Sequence, residues 1–381
     1  MIQTISPVLP GALLCMLGGG QLGRMFTLAA HAMGYRVMIV DPDPKSPAGA
    51  IADIHLCTAY DHPETVTRIK NECAAATTEF ENIPAGLLAI LAEVMPVAPG
   101  AEAVRIAQDR RLEKQSISHA GLRVAPWCAI EKSEDLSQDF SAYLPGILKT
   151  ARFGYDGKGQ INIEQAEDLA SAWSALQQQP CILEKRLELQ CELSVMVVRN
   201  YRGEADTYPV SMNHHRNGIL DVSIVPAPIS AAQADQVRAA ALQLANALHY
   251  EGVLGVECFL LADDSLLINE IAPRPHNSGH YTQDACISSQ FEQQVRMMCG
   301  LPPASTRLLS PVVMVNIVGD VWRQGEPAWQ DVLQQTNLVL HLYGKQEARP
   351  GRKMGHFNMV ADTLETAMQD AERIRGILGI A

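Results

Sequence analysis

Two glutamate residues, Glu257 and Glu270, have the spacing of a metal-binding carboxylate pair. They lie at or beside two apolar runs, residues 253–261 and 266–269, which are separated by the turn-forming sequence Ala-Asp-Asp-Ser. A two-residue turn at Asp263-Asp264 predicts an antiparallel hairpin in which Glu257 lies directly opposite Glu270. Like charges at such positions destabilise a hairpin unless an ion lies between them. Carboxylate ligands of this kind suit Mg²⁺, or Mn²⁺ in its place, although a bare pair is more often a solvated acidic surface.

The segment that follows this pair favours the metal interpretation. Arg274, His276 and Asn277 come shortly after Glu270, and interleaved prolines stiffen the backbone between them. Cationic and amide donors held beside a metal site are suited to binding oxyanions. The stretch therefore predicts a site for nucleotide phosphates with an anion pocket attached.

A glycine-rich sequence between the first predicted strand and the first predicted helix could also bind phosphate. Residues 18–23 match the pattern G-x-G-x-x-G, and Asp41 follows the next predicted strand. This arrangement is typical of dinucleotide-binding proteins, in which backbone N–H groups at the start of a helix hold phosphate. The alternative is a tight strand-to-helix turn with close packing.

Residues 149–160 form a second glycine-rich segment. Lys149 ends an apolar strand, and three glycines follow it in a short loop whose backbone amides could close over phosphate oxygens. The alternative is an ordinary hairpin with Asp-Gly at its tip. Because a metal-type carboxylate pair lies downstream, we interpret the segment as a phosphate-binding loop.

Two further segments could bind the remaining parts of nucleotide substrates. Residues 181–187 are a strand with a polar end, which could offer backbone hydrogen bonds to an adenine edge, while Glu192 accepts from ribose hydroxyls. Five basic residues, counting a histidine, lie within residues 345–356 of an otherwise acidic protein. Such clusters are usually solvated loops. The interleaved prolines and glycines here favour a pocket for a phosphate-bearing substrate.

The composition of the chain excludes several classes of protein. It has 381 residues, of which 47% are hydrophobic, and a formal net charge of −12. These values indicate two or three domains with substantial cores and no general affinity for nucleic acid or anionic membranes. Nine cysteines stand as singletons, as expected of buried thiols in a reducing compartment. No apolar run has the length of a membrane span and no secretion signal is recognisable, so a cytoplasmic protein is predicted.

The pattern of strands and helices changes twice along the chain. Residues 12–98 alternate strand-like and helical stretches, which predicts a parallel sheet with helices on both faces. Residues 124–299 have longer strands and hairpins, which predict antiparallel sheet, and one helix that begins with a capping-box pattern at Ser230 and Gln233. Residues 301–381 mix strand and helix. The predicted domains are residues 1–105, 106–300 and 301–381.

Together these motifs resemble the ATP-grasp superfamily, and more closely the N5-carboxyaminoimidazole ribonucleotide synthetase family of purine biosynthesis. The likeness covers nearly the whole chain. It runs from Gly-Gly-Gly-Gln-Leu-Gly-Arg-Met through Thr-Thr-Glu-Phe-Glu-Asn, Gln-Asp-Arg, Gly-Tyr-Asp-Gly-Lys-Gly-Gln and Asn-Glu-Ile-Ala-Pro-Arg-Pro-His-Asn-Ser-Gly-His to Tyr-Gly-Lys and Arg-Pro-Gly-Arg-Lys-Met-Gly-His. Phe153 stands where the family often has a second glycine. The resemblance implies an ATP-grasp fold of mixed α/β and α+β class, with an N-terminal Rossmann-like parallel-sheet domain and a small C-terminal domain.

The resemblance also implies an ATP-dependent carbon–nitrogen ligase. Such an enzyme converts ATP, bicarbonate and aminoimidazole ribonucleotide, through carboxyphosphate, into N5-carboxyaminoimidazole ribonucleotide, ADP and phosphate. The cofactors implied are ATP and Mg²⁺, the partners are the small-molecule substrates, and a homodimer is expected because similar enzymes form one.

The family's functional residues can be carried over by position. The residues expected around ATP are Arg110, Lys149, Gly154, Tyr155, Asp156, Gly157, Lys158, Gly159, Gln160, Glu184, Lys185, Arg186, Leu187, Glu192, His215, Asn269 and Glu270. Glu257 and Glu270 would hold the metal ion. The residues expected to position bicarbonate and carboxyphosphate are Arg274, His276, Asn277, Tyr155, Asp156 and Lys158. Those expected to bind the ribonucleotide are Gly20, Gln21, Leu22, Asp41, Glu79, Lys345, Arg352 and Lys353, with the glycine loop near its phosphate.

Three other functions stay open from the sequence. A formate-dependent glycinamide ribonucleotide transformylase would keep Glu257, Glu270 and Lys149 but not the basic cluster. An NAD-dependent oxidoreductase would use residues 18–23 and Asp41 but would leave the carboxylate pair unexplained. A regulatory protein could bind the same ligands without turnover.

Overall fold

The N-terminal part of the chain folds as a small parallel sheet. The computed structural model describes residues 6–154 and 159–380. Strands pair in the order β3-β2-β1-β4, all in parallel. The five residues of β1 are all buried, because successive side chains pack into separate hydrophobic clusters. The elements are β1 (Leu13–Leu17), α1 (Gln21–Ala32), β2 (Arg36–Val40), β3 (Ile54–Leu56), α2 (Pro63–Glu72), β4 (Ala75–Thr78) and α3 (Ala85–Ala92).

Residues 95–98 read as a further strand from their apolar character, but they make only a single bridge, Ala76 with Val97. Pro96 and Pro99 lack the N–H groups that a continuing ladder needs. The chain then forms two short helices, α4 (Ala101–Ala107) and α5 (Arg110–His119), where the pattern suggests one. The break falls at Asp109, whose side chain accepts from the backbone N–H of Arg111 and so begins a new helix.

The next part of the chain builds a four-stranded antiparallel sheet in the order β5-β8-β6-β7. One face of this sheet packs on α6 around Leu148, Trp173 and Leu183. The other side faces the large sheet across a cleft. The elements are β5 (Trp127–Ile130), β6 (Gly146–Thr150), β7 (Gln160–Ile163), α6 (Leu169–Ala175) and β8 (Cys181–Lys185), with 3-10 helices at Ser133–Ser137, Ser141–Tyr143 and Ala166–Asp168.

The remaining strands join one large antiparallel sheet. Among the residues described it has nine strands, ordered β14-β13-β9-β11-β12-β15-β17-β16, with β10 paired to β9. Its strands are β9 (Leu189–Arg199), β10 (Ala205–Thr207), β11 (Ser211–Arg216), β12 (Ile219–Val225), β13 (Gly252–Leu261), β14 (Leu266–Ala272), β15 (Val312–Val318), β16 (Leu338–Leu342) and β17 (Lys353–Val360). Its helices are α7 (Ala231–Ala247), α8 (Thr282–Ala285), α9 (Gln290–Met298), α10 (Trp329–Val332) and α11 (Leu364–Leu378), with 3-10 helices at Asn277–Gly279 and Gly319–Trp322.

The C-terminal strands continue this sheet, because β15 pairs with β12. The predicted division of the chain into residues 1–105, 106–300 and 301–381 stays a prediction. The predicted capping box at the start of α7 is confirmed: Ser230 accepts from the Gln233 N–H, and the Gln233 side chain accepts from the Ser230 N–H. No helix within residues 6–154 and 159–380 has the length and apolar character needed to cross a membrane.

The hairpin formed by β13 and β14 places Glu257 opposite Glu270, as predicted. The turn itself differs from the prediction. It contains three residues, because the Leu261 N–H donates to the Ser265 carbonyl, and Asp264 adopts a left-handed φ of 63°. This shifts the register by one residue. A bulge, in which Asn269 is the extra residue, shifts it back before the glutamates are reached.

Candidate active site

The predicted site residues converge on one cavity of about 570 Å³ between the three sheets. Its walls include 16 of the predicted residues: Gln21, Leu22, Glu79, Arg110, Lys149, Gly154, Gln160, Glu192, His215, Glu257, Asn269, Glu270, Arg274, His276, Asn277 and Lys353. Residues that the cavity wall does not include are Gly20, Asp41, Gly159, Glu184, Lys185, Arg186, Leu187, Lys345 and Arg352. Tyr155, Asp156, Gly157 and Lys158 lie outside the described residues.

Glu257 and Glu270 each lie beside a basic side chain. His276 Nε2 lies 3.1 Å from Glu257 Oε1, and Arg110 Nη1 donates to Glu270 Oε2 at 3.0 Å. Burial by itself would raise the pKa of Glu270, but the charge of Arg110 and its hydrogen bond, with Lys149 and His276 nearby, lower it to about 2. Glu270 therefore stays ionised at neutral pH.

This donor set fits a magnesium ion. The two carboxylates are paired across neighbouring strands, and the buried Oδ1 atom of Asn269 beside them has no partner among the described residues. The described part of the chain contains no cluster of three or more His, Cys, Asp or Glu side chains arranged to hold a metal. Two carboxylates plus phosphate oxygens are a usual ligand set for Mg²⁺, so the remaining ligands would come from the nucleotide and water.

Lys149 is held by a buried ion-pair network. Glu184 lies 2.9 Å from Lys149 Nζ and 2.6 Å from Lys114 Nζ, one lysine at each carboxylate oxygen. Lys114 also donates to the Asn269 carbonyl at 2.8 Å, so that it ties the small sheet to the bulge in β14. Against the effect of burial, the two lysines lower the pKa of Glu184 to about 2. Glu184 thus holds two lysines beside the cavity, and its contact with ATP stays a prediction.

Two amides at the strand end after Glu184 bond within the protein, and the contact of this segment with adenine stays a prediction. The Lys185 N–H donates to the Pro126 carbonyl and the Arg186 N–H to the Pro145 carbonyl. The side chain of Arg186 pairs with Glu164. Neither of these amides is therefore available to an adenine edge. In the large sheet, His215 Nδ1 lies 2.6 Å from Glu192 Oε2, and both residues line the cavity.

The segment after Glu270 presents donors to the cavity, as predicted. Arg274 Nε donates to Glu81 Oε2 at 2.8 Å. Both polar atoms of the Asn277 amide are buried without a partner among the described residues. Gln290 holds the backbone of His276, donating to its carbonyl and accepting from its N–H, each at 2.9 Å. Unpartnered buried amides are costly, so those of Asn277 are suited to contact a ligand.

Three amides of the glycine loop before α1 bond to carboxylates of the protein itself. The Gly19 N–H donates to Asp41 at 2.7 Å, and the N–H groups of Gly20 and Gly23 donate to Glu79 at 2.9 and 2.6 Å. The protein's own carboxylates thus occupy three amides of the fingerprint, and the neighbouring residues Gln21 and Leu22 line the cavity. The contacts of Gly20, Asp41 and the loop with the ribonucleotide stay a prediction. Glu79 itself lines the cavity, and burial raises its pKa to about 7 against these amide hydrogen bonds.

Only part of the basic C-terminal cluster reaches the cavity. Lys353 lines it, and Lys345 Nζ donates to the Lys353 carbonyl at 2.7 Å. Arg352 Nη1 donates to the carbonyl of Glu347 within its own loop. His356 is fully buried, stacks on His341 and bonds to the Tyr343 hydroxyl, so it belongs to the interior rather than to a phosphate pocket.

Several residues of the site were missed from the sequence. Glu81, Gln108 and Glu113 line the cavity, and Lys114 lies behind it. Glu81 and Gln108 belong to the quoted motifs Thr-Thr-Glu-Phe-Glu-Asn and Gln-Asp-Arg, which was the available signal. Phe153, at the position where the family often has glycine, has a φ of 63°, a conformation in which glycine costs less.

Comparison with known proteins identifies the family. Residues 12–108 match the ribonucleotide synthetase preATP-grasp domain, residues 115–291 the ATP-grasp domain, and residues 312–370 the C-terminal domain of phosphoribosylaminoimidazole carboxylase. The N5-carboxyaminoimidazole ribonucleotide synthase of Bacillus subtilis is 41% identical over 364 residues, 95% of each chain. The chain belongs to the N5-carboxyaminoimidazole ribonucleotide synthase family.

Solved structures of this family have the same fold. An ADP complex of purK, N5-carboxyaminoimidazole ribonucleotide synthetase, superposes with a TM-score of 0.91 at 42% identity, covering 97% of both chains. The Aspergillus clavatus enzyme in complex with ADP and 5-aminoimidazole ribonucleotide has a TM-score of 0.87 at 30% identity, covering 97% of this chain and 99% of that one. The predicted ATP-grasp fold and ligase class are thereby confirmed, in preference to the transformylase and oxidoreductase alternatives.

Proposed function

We propose that this protein carboxylates the amino group of 5-aminoimidazole ribonucleotide with bicarbonate at the expense of ATP. The supporting observation is that one cavity joins three kinds of group. Lys149 and the Glu257–Glu270 pair are suited to a metal-bound triphosphate, Arg274 and Asn277 to a small oxyanion, and Glu79 with Lys353 to an amine-bearing phosphate ester. Relatives of this family are named for this reaction and have been crystallised with ADP and the ribonucleotide.

The chemistry explains why all three groups share one cavity. Bicarbonate is a poor electrophile because hydroxide is a poor leaving group, and phosphoryl transfer from ATP converts that oxygen into phosphate. The amine then attacks the carboxyl carbon of carboxyphosphate, the carbon–oxygen bond to phosphate breaks, and the amine loses a proton. Because carboxyphosphate also reacts with water, both steps must occur in one enclosed space.

The protein contributes mainly position and charge. Lys149, held by Glu184, would face the phosphates, and Arg110 is held by Glu270. Mg²⁺ bound by Glu257 and Glu270 would neutralise phosphate charge. Arg274 and the Asn277 amide would hold the carboxyl and phosphoryl oxygens. Glu79, with its pKa raised to about 7, would accept a hydrogen bond from the amine when ionised.

The remaining parts of this proposal follow from the resemblance. The metal is Mg²⁺, with Mn²⁺ as a substitute, the protein is a homodimer, and it acts in the cytoplasm. The metal is checked by the loss of turnover with chelator and its return with Mg²⁺. The oligomeric state is checked by sedimentation, in which a monomer at micromolar concentration would contradict the dimer.

The test of the activity is ADP release with each substrate omitted in turn. ADP formation should require both bicarbonate and the ribonucleotide. Activity with formate and glycinamide ribonucleotide instead would refute the assignment. MgATP should raise the melting temperature by mass action, whereas NAD should not, because Asp41 and Glu79 occupy the amides of Gly19, Gly20 and Gly23.

A further inference from the structure

Glu81 connects the N-terminal domain to the anion pocket. It lies in the loop after β4, and its carboxylate accepts from Arg274 Nε at 2.8 Å, 193 residues further along the chain. Both side chains line the cavity, and they are only 25% and 19% exposed. A charge-assisted hydrogen bond in such an environment is stronger than one at the surface.

The bond orients the guanidinium as well as neutralising it. An arginine side chain has five N–H donors on a rigid plane and many rotamers. Nε is used on Glu81, and Nη1 donates to the Pro275 carbonyl at 3.2 Å. These two bonds fix the plane of Arg274. Its other N–H groups have no hydrogen-bond partner among residues 6–154 and 159–380, so they can bind an oxyanion in the cavity.

The loop that carries Glu81 is itself held from two sides. Two residues earlier, Glu79 is bound by the amides of Gly20 and Gly23. The side chain of Gln108 donates to the backbone carbonyls of Glu81 and Ile83, each at 2.7 Å. One short loop therefore carries both Glu79, the carboxylate proposed to contact the amine, and Glu81, the carboxylate that orients Arg274.

We propose that Glu81 is a positioning residue that orients the guanidinium of Arg274 toward carboxyphosphate. Carboxyphosphate then carboxylates the amine instead of being hydrolysed. The inference rests on the proposed function. When Arg274 is not held in this orientation, water attacks carboxyphosphate and releases bicarbonate and phosphate. ATP is then hydrolysed without consumption of the amine. The characteristic defect is thus a change in stoichiometry.

The experiment measures ADP formed per amine consumed. The native protein should give a ratio of about one. In Glu81→Gln, which keeps an acceptor but loses the charge, amine consumption should fall about tenfold while ADP release falls less. The ratio then rises above one, whereas the KM for bicarbonate changes little because the charge of Arg274 remains.

Further variants distinguish loss of the Arg274 orientation from a general loss of activity. Glu81→Asp keeps the charge but is too short to hold Arg274 in place, and it should also raise the ratio. Arg274→Lys should resemble Glu81→Gln, and the double variant should be no worse than either. Glu102→Gln removes an exposed partner of Arg105 in α4 and should keep the ratio at one.

Two results are decisive. A ratio of one in both Glu81 variants, at whatever rate, overturns the positioning role. Additive losses in the double variant overturn the claim that Glu81 acts through Arg274. Failure of the native protein to release ADP in response to bicarbonate and ribonucleotide would instead reject the proposed function, and it is observed without any variant.

Discussion

Individual charged residues in this protein act in pairs or larger groups. Glu270 pairs with Arg110, Glu257 with His276, and Glu184 with two lysines. Arg110 keeps Glu270 ionised, and the two lysines keep Glu184 ionised, in surroundings where an isolated charge would be costly. The charges needed for binding triphosphate are therefore already in place before the nucleotide arrives.

At this scale the first prediction concerns the metal. Glu270→Gln removes one carboxylate ligand and replaces the ionised partner of Arg110 with a neutral acceptor. We expect turnover to fall at least about a hundredfold, because charge-neutralising groups typically contribute that much to catalysis. Steady-state ADP release over a range of Mg²⁺ concentrations measures this effect. Near-normal rates at ordinary Mg²⁺ would contradict the metal role, and circular dichroism provides the check that the fold is retained.

A second residue-scale prediction separates two neighbouring basic residues. Lys353 lines the cavity, whereas Arg352 donates to a carbonyl in its own loop. Lys353→Met should therefore raise the KM for the ribonucleotide about tenfold or more, the value of a charge-assisted hydrogen bond. Arg352→Ala should have a smaller effect. Initial rates at varied ribonucleotide test this order, and a larger effect on the KM for ATP would contradict the placement of this segment.

The secondary-structure elements are determined partly by local signals and partly by irregularities. Helix α7 begins at a capping box that is recognisable in the sequence. The hairpin of β13 and β14 has a longer turn than predicted and a compensating bulge. The bulge contributes to the site, because the carbonyl of its extra residue, Asn269, accepts a hydrogen bond from Lys114.

The prediction at the scale of elements concerns helix capping. Ser230→Ala removes the acceptor for the Gln233 N–H, and we expect it to lower the free energy of unfolding by about 1 kcal/mol. Ser174→Ala is the matched control, because that serine is exposed within α6 and is no cap. Urea denaturation measures the free energy of unfolding of both variants. Equal stability of the two variants would show that the cap contributes nothing.

For the whole molecule, buried acids produce a pH dependence of stability. Burial, with the nearby charge of Glu270, raises the pKa of Glu113 to about 7. Between about pH 4.3 and 7 the native state keeps a proton that the unfolded state has lost. This group therefore favours folding fully below about pH 4.3, and its contribution is lost as the pH rises towards 7.

The corresponding prediction is for Glu113→Gln, which keeps an acceptor for the Ile271 N–H but cannot titrate. Without nucleotide or metal, its unfolding free energy should decline less between pH 4.3 and 7 than that of the native protein, by as much as about 3 kcal/mol. Urea denaturation at several pH values tests this. Identical slopes in the two proteins would show that Glu113 is ionised throughout that range.

The local sequence determined which carboxylates, lysines and turns are available for the proposed chemistry, since motifs of a few positions specify them. It predicted the parallel N-terminal sheet, the capping box of α7 and the facing of Glu257 and Glu270. The tertiary structure alone decided what those groups contact. Glu79 binds the amides of the glycine loop across 59 and 56 residues, and Glu81 reaches Arg274 across 193. Such contacts depend on how separate sheets are packed, and a buried charge takes whichever partner that packing brings within hydrogen-bonding distance.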